Sequence, residues 1–105
     1  MRKRAEFLRV QGRGRKVQTN AFVGLFASGR EGFARLGITT SKRVGCAVVR
    51  NRTRRIVREA FRRGVLEVPQ GLDLVVIAKR SAAELSGGQL VSDLRALSRR
   101  LRLAV

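Results

Sequence analysis

Seven arginines crowd the stretch RNRTRRIVREAFRR: Arg50, Arg52, Arg54, Arg55, Arg58, Arg62 and Arg63, with Glu59 the one acid among them. A guanidinium keeps its charge at any physiological pH, holds a phosphate through two parallel hydrogen bonds and stacks on a base. The ordinary reading of a charged helical face is a solvated surface, and such a surface mixes signs, because like charges four residues apart oppose a helix. Here Arg50, Arg54, Arg58 and Arg62 stand four apart. Each step of that ladder costs roughly 0.2–0.5 kcal/mol, a cost that calls for an external polyanion. Asn51, beside Arg52, adds an amide able to contact backbone or base. A helix reading the DNA major groove carries a few base readers among its phosphate contacts, whereas this face is almost wholly guanidinium and suits shaped RNA.

Chemistry of the chain's own is poorly provided for. There is no histidine to act as a base near neutral pH. The acids Glu6, Glu31, Glu59, Glu67, Asp73, Glu84 and Asp93 show no paired spacing for a two-metal site. Cys46 has no histidine to activate it and is expected to be a small buried apolar residue. Gly87 and Gly88 lack a phosphate-loop lysine and read as a plain turn.

Composition supports the same partner. Across 105 residues, 24 Lys and Arg face 7 acids, a net charge of +17, while 44% of residues are apolar. A charge this large on a chain with enough apolar residues for a core indicates a folded nucleic-acid-binding domain, a single one spanning 1–105. Residues 1–63 hold 18 of the cations and 3 acids; residues 64–105 hold 6 and 4. The binding face is therefore assigned to the first sixty residues. The single cysteine excludes an internal disulfide, the basic start is followed by no apolar run, and no stretch approaches a membrane span of about 20 apolar residues. The expectation is a cytoplasmic protein with no membrane and no small-molecule substrate.

The elements that must position the arginines follow from period and punctuation. A short helix is expected over Ala5–Val10, then an exposed basic turn with Arg13, Arg15 and Lys16. Strands are expected over Ala21–Ala27 and Phe33–Thr40, with Ser28–Gly32 as the hairpin turn joining them. The arginine-rich helix should run from about Ala47 to Arg63 and stop at Gly64, with Thr53, Ile56, Val57, Ala60 and Phe61 opposite the arginines. Leu72–Ala78, LDLVVIA, is too continuously apolar for an exposed edge and reads as a buried strand. A last helix from about Gln89 to Leu103 carries Leu90, Leu94, Leu97 and Leu101 on one stripe. The expected class is α+β: a small mixed four-stranded sheet packed by about three helices in the order α-β-β-β-α-β-α, with a βαβ crossover carrying the arginine helix.

The run RLGITTSKRVGCAVVRNRTRRIVREAF, Arg35–Phe61, closely resembles the signature of the bacterial ribonuclease P protein subunit. In that family a strand, a Ser-Lys-Lys/Arg turn, Gly-Asn-Ala-Val and an Arg-Asn-Arg helix follow one another. Phe7, Val10, Gly14, Phe22 and LDLVVIAKR extend the resemblance over nearly the whole chain. Two positions depart from the family pattern: Cys46 stands where asparagine is usual, and Gln11 where a second aromatic often stands.

The resemblance implies a left-handed βαβ crossover, against the general preference for right-handed ones. It further implies a protein that docks on a catalytic RNA, whose bound magnesium ions cut precursor tRNA at the mature 5′ end. Lys42, Arg43, Arg50, Asn51, Arg52, Arg54, Arg55, Arg58 and Arg62 would face that RNA. Phe7, Gln11, Leu25 and Thr39 would line a cleft for the 5′ leader, although Leu25 could equally be core. The alternatives are a ribosomal protein of similar size and charge, or a DNA-binding regulator that dimerises through its last leucine stripe.

Overall fold

The computed structural model describes residues 15–29, 32–40 and 42–104. Its elements are strands β1 (Arg15–Gln18), β2 (Phe22–Ser28) and β3 (Arg35–Thr39), helix α1 (Ala47–Arg62), strand β4 (Leu72–Ala78), a 3₁₀ turn (Arg80–Glu84) and helix α2 (Gly87–Ala104). The expected first helix, with Phe7 and Gln11, lies outside the described residues.

The apolar run LDLVVIA settles the topology. All but Ile77 of its seven residues are buried, so β4 needs a neighbour on each edge and cover on each face. The sheet order is β1-β2-β4-β3, with β4 antiparallel to β2 and parallel to β3. This corrects the expectation that Ser28–Gly32 closes a hairpin: β2 and β3 do not pair, because β4 inserts between them. A β2–β3 hairpin would have left the most apolar strand on an edge. The connection instead crosses the start of β4, where the Gly29 N–H donates to the Gly71 carbonyl (2.8 Å) and the Gly71 N–H to the Phe33 carbonyl (2.7 Å). The real hairpin joins β1 and β2, so Arg15 and Lys16 are strand residues rather than part of a basic turn.

Register divides the sheet into two faces. Phe22, Gly24 and Phe26 of β2, Leu36 and Ile38 of β3, and Leu72, Leu74, Val76 and Ala78 of β4 share the face covered by α1 and α2. Leu90, Leu94, Leu97 and Leu101 of α2 are all fully buried there, each burial contributing about 1.5–3 kcal/mol. The opposite face carries Leu25 of β2, Arg35, Gly37 and Thr39 of β3, and Asp73, Val75 and Ile77 of β4.

Helix ends follow local chemistry. Gly64, at φ +79°, lets the Val65 N–H reach the Ala60 carbonyl (2.9 Å) and the Gly64 N–H the Phe61 carbonyl (3.2 Å), so α1 stops where its sequence indicates. The start of α2 is two residues earlier than expected. Ser86 and Gln89 form a reciprocal cap, with the Ser86 N–H donating to Gln89 Oε1 (2.8 Å) and the Gln89 N–H to Ser86 Oγ (3.2 Å), which draws Gly87 and Gly88 into the first turn rather than leaving them as a plain turn.

Two carboxylates fasten distant segments. Asp73 is fully buried and receives two parallel bonds from Arg35, Nε to Oδ1 and Nη2 to Oδ2, both 2.8 Å. This pair locks β3 against β4. Asp93 Oδ2 accepts from Thr19 Oγ1 (2.6 Å) and the Ala21 N–H (3.0 Å), tying α2 to the β1–β2 hairpin. Asp73→Asn should cost about 2–4 kcal/mol, because the half-buried Arg35 guanidinium loses the buried carboxylate that it meets with two bonds. Chemical denaturation of the variant measures this, and a loss under about 0.5 kcal/mol, the range of ordinary surface changes, would remove the pair as a fastener.

Candidate nucleic-acid interface

Helix α1 splits by wheel position as its sequence indicates. Thr53, Val57 and Ala60 are buried, and Val49 and Ile56 pack beside them. Around the opposite side, Asn51, Arg55, Arg58 and Arg62 are exposed, while Arg50, Arg52 and Arg54 are half-buried. Phe61 is half-buried, and Phe22 and Phe26 are core.

The half-buried arginines are held by neutral acceptors. Arg52 Nη2 donates to the Leu85 carbonyl (2.6 Å) and Arg54 Nε donates to Thr40 Oγ1 (3.1 Å). Neither bond cancels charge. The Nε–H groups of Arg50 and Arg52 are buried and have no hydrogen-bond partner. Arg55 and Arg58 form no ion pair among the described residues. Only the last rung is quenched, since Glu59 accepts from both Arg62 and Arg63. The Arg62 guanidinium, aided by Arg63, holds the Glu59 carboxyl below its usual range, and Glu59 raises Arg62 in return. Arg62 is therefore a weaker contributor than its place in the ladder suggests.

Val48, 77% exposed, lies with Asn51, Arg52 and Arg55 around a shallow depression of about 400 Å³. Lys42 and Arg43 are exposed in the turn just before α1, so they extend the basic ridge at its N-terminal end. In that turn Gly45, at φ +150°, sits where a Cβ would meet Val49 at 3.2 Å. The close path holds the turn against the helix.

Cys46 differs from expectation. It is exposed as the N-cap residue of α1 rather than buried, because a capping position faces solvent at the open helix end. It makes no side-chain capping bond. The Val49 and Val48 backbone N–H groups, with Arg50 beyond them, hold its thiol below the usual value. Cys46→Asn should restore a cap and raise stability by about 0.5–1 kcal/mol, read as a higher unfolding midpoint. An unchanged or lower midpoint would show that the thiol already serves this helix end as well as an amide.

Of the four residues expected to line a cleft, Leu25 and Thr39 are described. Both are half-buried on the sheet face away from the helices, where Leu25 registers with Val75 and Thr39 with Ile77. Leu25 is thus not part of the helix-side core. The Arg54–Thr40 bond joins the basic ridge to the end of β3 beside Thr39. Among the described residues no three His, Cys, Asp or Glu side chains come together to hold a metal ion, and no helix is long and apolar enough to cross a membrane.

Fold and ridge together define a small α+β protein built to carry unneutralised guanidinium on one helix. The sequence profile of the Ribonuclease P family matches residues 1–102. The ribonuclease P protein component of Gluconacetobacter diazotrophicus is 50% identical over 98 residues, covering 90% of this chain and 84% of that protein. The RNase P protein of Staphylococcus aureus superposes with a TM-score of 0.88 at 30% identity, covering 95% of this chain and 92% of its own. That of Thermotoga maritima gives 0.83 at 35% identity, covering 95% and 94%. This chain belongs to the ribonuclease P protein family.

The two classes of arginine should separate on substitution. Arg55→Ala, at the exposed centre of the ridge, should leave the unfolding midpoint unchanged and weaken RNA binding. Arg52→Ala should lower the midpoint as well, by about 1–2 kcal/mol of stability, because the Leu85 carbonyl loses its donor. Equal effects of both variants on stability would show that the Arg52 bond fixes nothing.

Proposed function

We propose that this protein is the protein subunit of a ribonuclease P ribonucleoprotein, binding its catalytic RNA through α1 and assisting endonucleolytic removal of the 5′ leader from precursor tRNA. The observation that carries this reading is the set of guanidinium groups on α1 oriented by neutral acceptors rather than by carboxylates. Membership of the family supplies the context. The exposed Arg55 and Arg58 forks are free to pair with phosphate oxygens. Asn51 and exposed Val48 offer amide and apolar contact to sugar or base at the edge of the ridge.

The chain's role in catalysis is binding and orientation. Magnesium, held mainly by the RNA, supplies the hydrolytic chemistry. The ridge would place the protein on the RNA, and the adjoining sheet face with Leu25 and Thr39 would hold the single-stranded leader, together with Phe7 and Gln11. Leu90, Leu94, Leu97 and Leu101 are buried against the sheet, so the stripe that a dimeric DNA regulator would use is already occupied. The protein acts in the cytoplasm, where precursor tRNA is made.

Reconstitution tests the proposal. Purified protein added to the catalytic RNA at low magnesium should raise cleavage of a precursor with a leader of several nucleotides, and raise it less for a precursor with a one-nucleotide leader. No gain with either precursor, or cleavage by the protein without the RNA, would overturn the assignment.

A further inference from the structure

The second half of the chain is nearly neutral by count, yet its cations are not evenly placed. Helix α2 carries Arg95, Arg99, Arg100 and Arg102 against one carboxylate, Asp93. Asp93 is half-buried and bonded to the neutral donors of Thr19 and Ala21, and among the described residues it forms no ion pair with the arginines of its own helix. Spacings of four and three put Arg95, Arg99 and Arg102 on one exposed stripe, again a like-charge ladder.

That stripe borders a groove of about 370 Å³ whose other wall is the C-terminal end of α1, where Arg63 stands. The groove floor is polar: Ser98 Oγ, buried at the helix, accepts from the Glu67 N–H (3.0 Å). The acids there are few and already engaged, Glu67 facing Arg102 at 3.8 Å and Glu59 shared by Arg62 and Arg63. Arg95 and Arg99 form no ion pair among the described residues.

We propose that this groove is a second RNA site, which takes a phosphodiester segment of the same catalytic RNA that docks on α1. Continuity chooses this occupant. The basic surface runs along α1 through Arg58 and Arg62, turns the helix end at Arg63, and continues onto α2 without a break in sign beyond the two engaged acids. A strand leaving the ridge at that end meets Arg99 and Arg95 next. The inference rests on the docking of RNA to α1 and adds a distinct set of contacts to it.

The test is the salt dependence of affinity for the catalytic RNA alone, comparing the native protein, an Arg95→Gln/Arg99→Gln double variant, its Lys/Lys counterpart, and Arg55→Ala. The Gln pair should bind about 10-fold more weakly at 0.15 M salt and flatten the slope of log affinity against log salt by about 1.5–2, the amount expected for two lost phosphate contacts. The Lys pair should recover most of both, and all variants should unfold at the native midpoint. Unchanged affinity and slope in the Gln pair, with Arg55→Ala still impaired, would overturn the second site and leave α1 docking intact. Were Arg55→Ala unchanged as well, both would fall. Native affinity for the catalytic RNA combined with weaker precursor binding to the holoenzyme would also overturn the proposal, by moving the groove to the substrate.

Discussion

Burial of β4 on both faces is the constraint from which the architecture follows. A strand reading LDLVVIA can be satisfied only in the middle of a sheet, and its two neighbours here run in opposite directions, β2 antiparallel and β3 parallel to it. A parallel partner on one side requires a crossover, and the only segment long enough to make it is the one that contains α1. The arginine helix is therefore fixed across the sheet by the strands it connects. Its buried residues, Thr53, Val57 and Ala60, are small enough to let the helix lie close to the core. The energy that holds a like-charged helix in place comes from the apolar packing of Leu74, Val76 and the α2 leucines, not from the helix itself.

Charge in this molecule is handled in two ways, and the difference identifies purpose. Where an arginine fastens the fold, it meets a carboxylate: Arg35 is bound twice by buried Asp73, and its charge is spent inside the structure. Along the ridge, the half-buried Arg52 and Arg54 meet a carbonyl and a hydroxyl, and only its last rung, Arg62, meets a carboxylate. A neutral acceptor removes conformational freedom from a long side chain while leaving its full charge exposed to a ligand. Ordering such a side chain in advance lowers the entropy lost on binding, roughly 0.5–1.5 kcal/mol for each group. An ion pair would have given order at the expense of charge.

Much of this was legible in the residues. The helix faces of α1, its stop at Gly64 and the leucine stripe of α2 follow from period and punctuation alone, because each depends on neighbours within four positions. The pairing of strands was not, since a glycine-bearing SGREG between two apolar runs has the same local chemistry whether the runs pair with each other or with a third strand at Leu72–Ala78. Local rules gave a hairpin, and the tertiary demand of β4 displaced it. A four-stranded sheet was legible but the place of β1 was not, because RKVQ carries one apolar residue and owes its extended form to pairing with β2. Cys46 was misplaced for a related reason: its residue type favours burial, but its position one residue before a helix puts it at the solvent-facing cap.

The basic groove between α1 and α2 shows what a charge balance conceals. Counting residues 64–105 gives six cations and four acids, which describes an unremarkable surface. Folding redistributes them. Asp73 is taken into the sheet, where Arg35 offsets its charge, and Asp93 is held half-buried at the hairpin by the neutral donors of Thr19 and Ala21, while all four arginines of α2 lie exposed. A carboxylate paired with a guanidinium inside the sheet adds little to the field outside, and what an approaching polyanion feels is dominated by the charges left facing water. The electrostatic face of a small basic protein is thus decided as much by where its few acids are buried as by where its arginines stand.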